Sequence, residues 1–393
     1  MSSDEPLISI EDLEVHFEDQ SMLNAMVPSW MGDRLGLQEQ PTVQAVDDIN
    51  LELGENDVLA LVGESGCGKT TLGKTIVGLQ KPTGGAIKYR GHDIWDVRDG
   101  NADTDMTFEE IRRALQIIHQ DPGSALNPYR SVLDNLAVPL KRWHPHLNYE
   151  ERRTRILNML KRTGISPPED YAERYVHQLS GGEQQRVALI RALLVEPDVI
   201  LADEAVSALD VSLRIGVMDL FLEMQEIFDT SFVFISHDLA NARYLAGKSG
   251  GKIAVMYLGE IVEIGTADEI INDPKHPYTK VLQWATPKLN PEQAQEAMRE
   301  SPPVRKIDIP DATKPPTGCR FHTRCPEARE TCREQTPALY EDGTGEAYHR
   351  TKCFRSVDDH EYWQSTELTD DDPVSDETAS PSDDGSVVDE ASS

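Results

Sequence analysis

The stretch Gly63-Glu64-Ser65-Gly66-Cys67-Gly68-Lys69-Thr70 limits the fold of this chain more than any other. It has the spacing G-x-x-x-x-G-K-S/T. It follows the apolar run Val58–Val62 and precedes the helix-like Thr71–Leu79, the strand–loop–helix setting that a phosphate loop requires. Glycines let the backbone turn its N–H groups towards phosphate oxygens, and the next helix presents its N-terminal dipole to the same anion. Lys69 then suits the β and γ phosphates of a nucleotide, the Thr70 hydroxyl suits Mg²⁺, and Thr71 continues the phosphate-facing helix start. Cys67 is read as small size and backbone only, with a redox role as the weaker alternative.

A loop of this kind needs an acidic partner for its metal. Val199-Ile200-Leu201-Ala202-Asp203-Glu204 is an apolar strand ending in two carboxylates. Neighbouring side chains point to opposite faces within a strand, but at its end the chain can turn both acids into one site. Asp203 suits the Mg²⁺ shell, and Glu204 suits a general base that polarises the attacking water. The two motifs together describe a nucleoside triphosphatase without saying what its hydrolysis drives.

The rest of the first 265 residues fits the α/β class. Short apolar runs at Val58–Val62, Leu115–Ile118, Val199–Ala202 and Ser231–Ile235 suit strands buried on both faces, and helical patterns lie between them, including Glu151–Arg162, Glu183–Leu194 and Ser212–Phe228. That order implies a mainly parallel sheet. Ile8–Phe17, Ala45–Leu53 and Ala86–Tyr89 read as flanking antiparallel strands, and Glu18–Val43 as a long inserted loop. Beyond Gly265, Asp268–Asn272 and Thr279–Trp284 read as short helices and 287–318 as a Pro-rich linker. A cysteine-bearing segment follows. The domains expected are 5–265, with a helical subdomain at about 121–182, then 266–356, then an acidic disordered tail at 357–393.

Leu179-Ser180-Gly181-Gly182-Glu183-Gln184-Gln185-Arg186 precedes the acidic strand. Ser180, Gly181 and Gly182 begin a helix, so a hydroxyl and free N–H groups form a second anion site. Two phosphate sites so far apart in one sequence invite a ligand shared between two molecules. The segment resembles the signature motif of ABC ATPases. In that family two subunits pair head to tail, and each ATP lies between one phosphate loop and the partner's signature, here Ser180–Glu183. The resemblance assigns further residues. Phe17 matches the aromatic that stacks on adenine, Gln120 the loop glutamine that contacts Mg²⁺ and water while touching the transporter, and His237 the switch histidine at the γ-phosphate. Ser207-Ala208-Leu209-Asp210 resembles the loop that crosses the dimer interface. One departure is Ala205, where the family usually has Pro. Pro stiffens a turn by fixing φ, so Ala is expected to loosen it without removing a catalytic group.

The resemblance extends over roughly residues 5–356 and points to one branch. Gln120–Pro128, Lys275-His276-Pro277-Tyr278-Thr279 and Gly318-Cys319-Arg320-Phe321-His322-Thr323-Arg324-Cys325-Pro326 are similar to segments of the oligopeptide and dipeptide importers. Details such as Gly66-Cys67-Gly68 and Ala205–Asp210 look more like their F-type than their D-type ATPase. This implies a heterodimer with a D-type ATPase, two membrane permease subunits, an external solute-binding protein, and a peripheral place on the cytoplasmic face of the membrane. Cys319, Cys325, Cys332 and Cys353 are spaced C-x5-C-x6-C-x20-C, unlike the C-x2-C pairs of zinc ribbons. Four thiolates suit a 4Fe–4S cluster or zinc, and metal-free structural cysteines stay open. The resemblance favours the cluster.

Charge narrows the partners. The chain carries −31, with 69 acids against 38 bases, and nucleic-acid binding needs clustered Lys and Arg, so nucleic acid is not expected. Removing the 13 acids of 357–393 leaves −18, so the folded part is acidic too. That suits a halophile's interior, where salt screens self-repulsion; an acidic protein from an ordinary organism is the alternative. No apolar run reaches the roughly 18 residues of a membrane span, and the N-terminus lacks a basic and apolar leader, so a soluble chain is expected. The competing functions are a soluble ABC ATPase without a transporter and a non-hydrolysing regulatory module. A single cassette with no long heptad segment weighs against the first, Glu204 and His237 against the second.

Overall fold

Apolar runs without a polar face can be buried only if both faces are covered, and that condition sets the architecture. The computed structural model describes residues 5–18, 42–286, 302–305, 308–341 and 349–369. The first elements are β1 (Ile8–Glu18), β2 (Thr42–Leu53), β3 (Val58–Val62), α1 (Lys69–Ile76), β4 (Gly84–Tyr89), β5 (His92–Asp93), α2 (Ile94–Asp99), α3 (Phe108–Ala114) and β6 (Leu115–Ile118). Then come α4 (Val132–Trp143), α5 (Tyr149–Arg162), α6 (Pro168–Glu173), α7 (Gly181–Leu193), β7 (Val199–Asp203), α8 (Val211–Phe228), β8 (Ser231–Ser236) and α9 (Leu239–Ser249). The last are β9 (Lys252–Tyr257), β10 (Glu260–Thr266), α10 (Ala267–Asn272), α11 (Pro277–Ala285), α12 (Glu330–Glu334), β11 (Tyr340–Glu341) and β12 (Arg350–Thr351).

Two sheets result. An antiparallel sheet has the order β2-β1-β4-β5, and a mixed sheet has the order β11-β12-β10-β9-β3-β8-β7-β6. Within the second, β9, β3, β8, β7 and β6 are parallel, and β10, β12 and β11 continue it antiparallel. Side chains of β8 show why the expected strands carry no polar face. Phe232 and Phe234 pack into the core beneath the helices α4, α5, α7 and α8, whereas Val233 and Ile235 pack into the core shared with α1 and the antiparallel sheet. The helix starts follow local chemistry: Asn148 with Glu151 and Ser180 with Glu183 form capping boxes on α5 and α7, and Asp210 caps α8.

Two expectations change. The division expected at residue 265 falls inside a sheet, because β12 pairs with β10 through Glu263–Thr351 and Ile264–Arg350. The disordered tail expected from 357 does not hold for residues 357–369. These pack back: Tyr362 is buried, its hydroxyl donates to the Glu327 carbonyl at 2.6 Å, and Leu368 N–H donates to the Ala328 carbonyl at 3.0 Å. An aromatic and an aliphatic among the acids give this stretch enough apolar surface to dock. Most of the expected 18–43 loop and 287–318 linker, and residues 370–393 of the tail, lie outside the described residues. Among the described residues no helix is long and apolar enough to cross a membrane.

The antiparallel extension carries buried charge. Glu263 on β10 is fully buried, and its carboxylate accepts from the N–H groups of Lys275 (2.7 Å) and His276 (3.0 Å) and pairs with His349 Nε2 (2.7 Å). Glu260 pairs with Lys352 at 2.9 Å. Each acid of this strand is therefore compensated by residues distant in sequence, as burial demands.

Candidate nucleotide site

The parallel strands end together, and their C-terminal ends deliver the functional groups, as in open α/β sheets generally. Val62 stands level with Ser236, Ile235 with Asp203, and Ala202 with Ile118. Gly63 follows the first of these strands, His237 the second, Glu204 the third, and Gln120 lies two residues past the fourth.

The phosphate loop is shaped by its glycines. Gly68 has φ +107°, and a Cβ there would fall 2.0 Å from the Ala45 carbonyl oxygen, so no other residue fits. Lys69 is buried at 5% exposure, and its ammonium donates to the carbonyls of Gly63 (2.9 Å) and Glu64 (2.8 Å). Thr70 Oγ1 donates to Asp203 Oδ1 at 3.0 Å, which joins the two sequence motifs. Burial pushes the Asp203 carboxyl above its usual value, against the opposing Thr70 hydrogen bond. A divalent cation beside it would favour the ionised form. Burial also raises the Cys67 thiol, with Lys69 opposing, so it is held protonated, in keeping with a packing role.

Two side chains meet the Glu204 carboxylate. Its Oε2 lies 3.3 Å from Gln120 Nε2 and 3.4 Å from His237 Nδ1. Its backbone has φ +48°, a conformation that side-chain-bearing residues seldom adopt. Neighbours hold it there: Glu204 N–H donates to the Ile235 carbonyl at 3.1 Å, and Ser207 returns both its N–H (3.0 Å) and its hydroxyl (2.9 Å) to the Glu204 carbonyl. Ala205, at the position where the resemblance expects proline, is buried. Phe17 stands 40% exposed on β1, paired with Val43.

The signature lies elsewhere. Ser180 and Gly181 are exposed, and Ser180 is engaged with Glu183 of its own helix, whose other carboxylate oxygen takes the Tyr171 hydroxyl at 2.6 Å. Asp210 caps α8 through Leu213 N–H at 3.0 Å. A groove of about 740 Å³ opens between α3, α4 and α7, beside the Gln120 segment. His119, Arg112, Arg142 and Arg191 are among its lining residues, together with Glu109, which pairs with Arg142 at 3.1 Å.

The four C-terminal cysteines line one small cavity with Phe321, Phe354 and Tyr362. Burial raises all four thiols, and for Cys319 the charges of Cys332, Cys353 and Cys325 add to it. Among the described residues, however, no three His, Cys, Asp or Glu donors are placed to hold a metal ion.

The sequence reading missed two contacts to the phosphate loop. Arg324 grips the Glu64 carboxylate at 2.9 and 3.0 Å, and the buried Tyr278 accepts the Glu64 N–H at 2.8 Å. One signal was available: an acid within a loop that binds anions calls for a counter-charge.

Fold and site together define an ATP-binding cassette. Residues 46–207 match the ABC transporter family, and 262–332 match the C-terminal region of oligopeptide/dipeptide transporters. OppF of Salmonella typhimurium, an oligopeptide transport ATP-binding protein, is 37% identical over 349 residues, covering 89% of this chain and 96% of that protein. DppF of Pseudomonas aeruginosa, a di/tripeptide transport ATP-binding protein, is 40% identical over 297 residues, 76% of this chain and 86% of that one. Among solved structures, the post-hydrolysis dimer of the cassette MJ0796 bound to ADP and Pi is 26% identical with TM-score 0.52, covering 66% of this chain and 98% of that one. The cassette cbiO1 of Clostridium perfringens is 22% identical with TM-score 0.56 over 76% of this chain and all of that one, a likeness of fold alone. The chain belongs to the ATP-binding proteins of the oligopeptide/dipeptide branch of ABC transporters, and it is an ATPase.

Proposed function

We propose that this chain energises the import of peptides by hydrolysing ATP at the face where β3, β8, β7 and β6 end. The observation that carries the reading is the convergence of Gln120, Glu204 and His237 beside a phosphate loop whose Thr70 bonds Asp203. The loop amides and Lys69 bind the β and γ phosphates. Thr70, Asp203 and Gln120 would hold Mg²⁺, which would neutralise charge on the phosphates. Glu204 takes the proton of the attacking water and His237 orients the γ-phosphate. Phe17 offers its exposed ring to adenine.

The signature Ser180–Glu183, exposed at Ser180 and Gly181, serves the nucleotide of a second cassette, and Asp210 lies in the loop facing it. That partner is a related D-type subunit. The groove lined by Arg112, Arg142 and Arg191 receives the permease, so that Gln120 feels both transporter and nucleotide. This places the chain on the inner membrane surface, with substrate delivered from outside by a binding protein. Peptides are the substrate because the similar proteins named above are peptide transport subunits.

The test is uptake. A strain lacking this chain should lose growth on peptides as nitrogen source while keeping growth on free amino acids, and wild type but not Glu204→Gln should restore it. Peptide growth retained alongside lost nickel or sugar uptake refutes the substrate.

The reading extends to the four thiols as ligands of a 4Fe–4S cluster, supported by their lining one cavity. Such a cluster takes one thiolate per iron and needs no three donors on one centre. Cys319, Cys325, Cys332 and Cys353 would hold it, and its contribution is to staple a segment with few core residues of its own. Protein purified without oxygen should be brown and contain iron; a colourless, iron-free preparation eliminates the cluster.

A further inference from the structure

Glu64 is the second residue of the phosphate loop, and its polar groups are held from several directions. Its carbonyl accepts from Lys69 at 2.8 Å and its N–H donates to the Tyr278 hydroxyl at 2.8 Å. Both carboxylate oxygens are gripped by the Arg324 guanidinium, Nη1 to Oε2 at 2.9 Å and Nη2 to Oε1 at 3.0 Å. This fork is the strongest geometry available to an ion pair. Arg324 is 5% exposed and lies beside the Tyr257 and Phe321 rings, with Tyr257 itself packed on Tyr278 at 4.6 Å.

The same C-terminal segment supports the neighbouring turn. Arg320 bonds the Leu258 carbonyl, Gln44 and Asp47. Gly259, next in the chain, donates its N–H to the Cys67 carbonyl at 2.9 Å and accepts from Asp47 N–H at 3.0 Å. The loop is therefore braced at Glu64 and Cys67 by residues around 258 and 320–324.

An unpaired carboxylate at position 64 would repel a polyphosphate and leave the loop free to swing. The structure assigns Arg324 as a positioning residue of the nucleotide site: it cancels the charge of Glu64 and fixes the loop so that a nucleoside triphosphate can be bound, which makes the segment beyond residue 265 part of the ATP site. The assignment rests on the loop being the ATP site proposed above.

The test measures MgATP and MgADP binding to the full-length chain by calorimetry, with circular dichroism to confirm folding. Arg324→Gln should weaken MgATP binding on the order of tenfold, and MgADP less, because the unmasked carboxylate meets fewer phosphate charges in the diphosphate. The double variant Glu64→Gln/Arg324→Gln should recover affinity to within about threefold of wild type, since no charge is then left to cancel. Arg324→Lys keeps the charge and should stay nearer to wild type than Gln does. Unchanged MgATP affinity in folded Arg324→Gln overturns the assignment, and so does a double variant as weak as the single one. If Arg324→Gln does not fold, the Lys variant decides: a loss of tenfold or more in folded Arg324→Lys overturns the charge role. Failure of the wild-type chain to bind MgATP would instead refute the underlying site.

Discussion

Replacing Glu204 with Gln is expected to leave MgATP binding intact and to lower steady-state hydrolysis on the order of a thousandfold, the scale of a lost general base. The amide has the same shape as the carboxylate, so the strained turn at φ +48° and its bonds from Ile235 and Ser207 survive. It cannot take a proton from water. Of its two neighbours, Gln120 is an amide and cannot take the proton either, and His237, 55% exposed, is assigned to the γ-phosphate. ATP should then remain between paired cassettes, and the variant mixed with the D-type subunit proposed above should run as a dimer in gel filtration with MgATP and as separate chains without it. Hydrolysis near the wild-type rate would show that another group acts as base.

The largest loss of stability is expected from Glu263→Ala. The carboxylate is fully buried and serves two backbone N–H groups and the His349 ring. Removing it strands all three, at a cost of about 3–5 kcal/mol for breaking a buried pair. In a chain of this size that lowers the unfolding midpoint on the order of 10 °C. The pH dependence identifies the cause. Burial disfavours the charged form of His349, but the hydrogen bond and charge of Glu263 outweigh it and raise the imidazole above its usual value. A raised folded value means that the pair stabilises fully below the unfolded histidine value of about 6.5, and that this contribution is lost as pH rises through the raised value. Thermal unfolding of wild type should weaken across that rise, and Glu263→Ala should lose this component of the slope. A variant with an unchanged midpoint and slope would remove Glu263 from this role.

Much of the candidate nucleotide site was legible because its information is local. The phosphate loop, the Asp203-Glu204 pair and the Ser180–Glu183 helix start are contiguous motifs, and strands buried on both faces leave uninterrupted apolar runs. Their convergence follows from parallel strands ending on one side. What lay beyond the sequence is carried by pairings between distant residues. Glu64 and Arg324 are 260 positions apart, and neither spacing nor composition marks them as partners. β10 carries Glu260 and Glu263 in a buried strand, a pattern that makes sense only once Lys352 and His349 are beside it. β11 and β12 have two residues each, too few for any alternation to show. The docked stretch 357–369 was hidden by the acids around Tyr362 and Leu368.

The sheet that runs without a break from β6 to β11 bears on how such a chain can be divided or recombined. The two family matches, 46–207 and 262–332, suggest two parts that could be exchanged between relatives. A cut at that seam passes through β10, whose partner β9 lies directly against the phosphate-loop strand β3. The amputated cassette would carry a raw, unpaired strand edge, the kind of surface that recruits other chains into aggregates. A hybrid joined there would need the incoming half to supply β10's partners and an arginine for Glu64 together. The natural unit for building chimeras is therefore the whole chain.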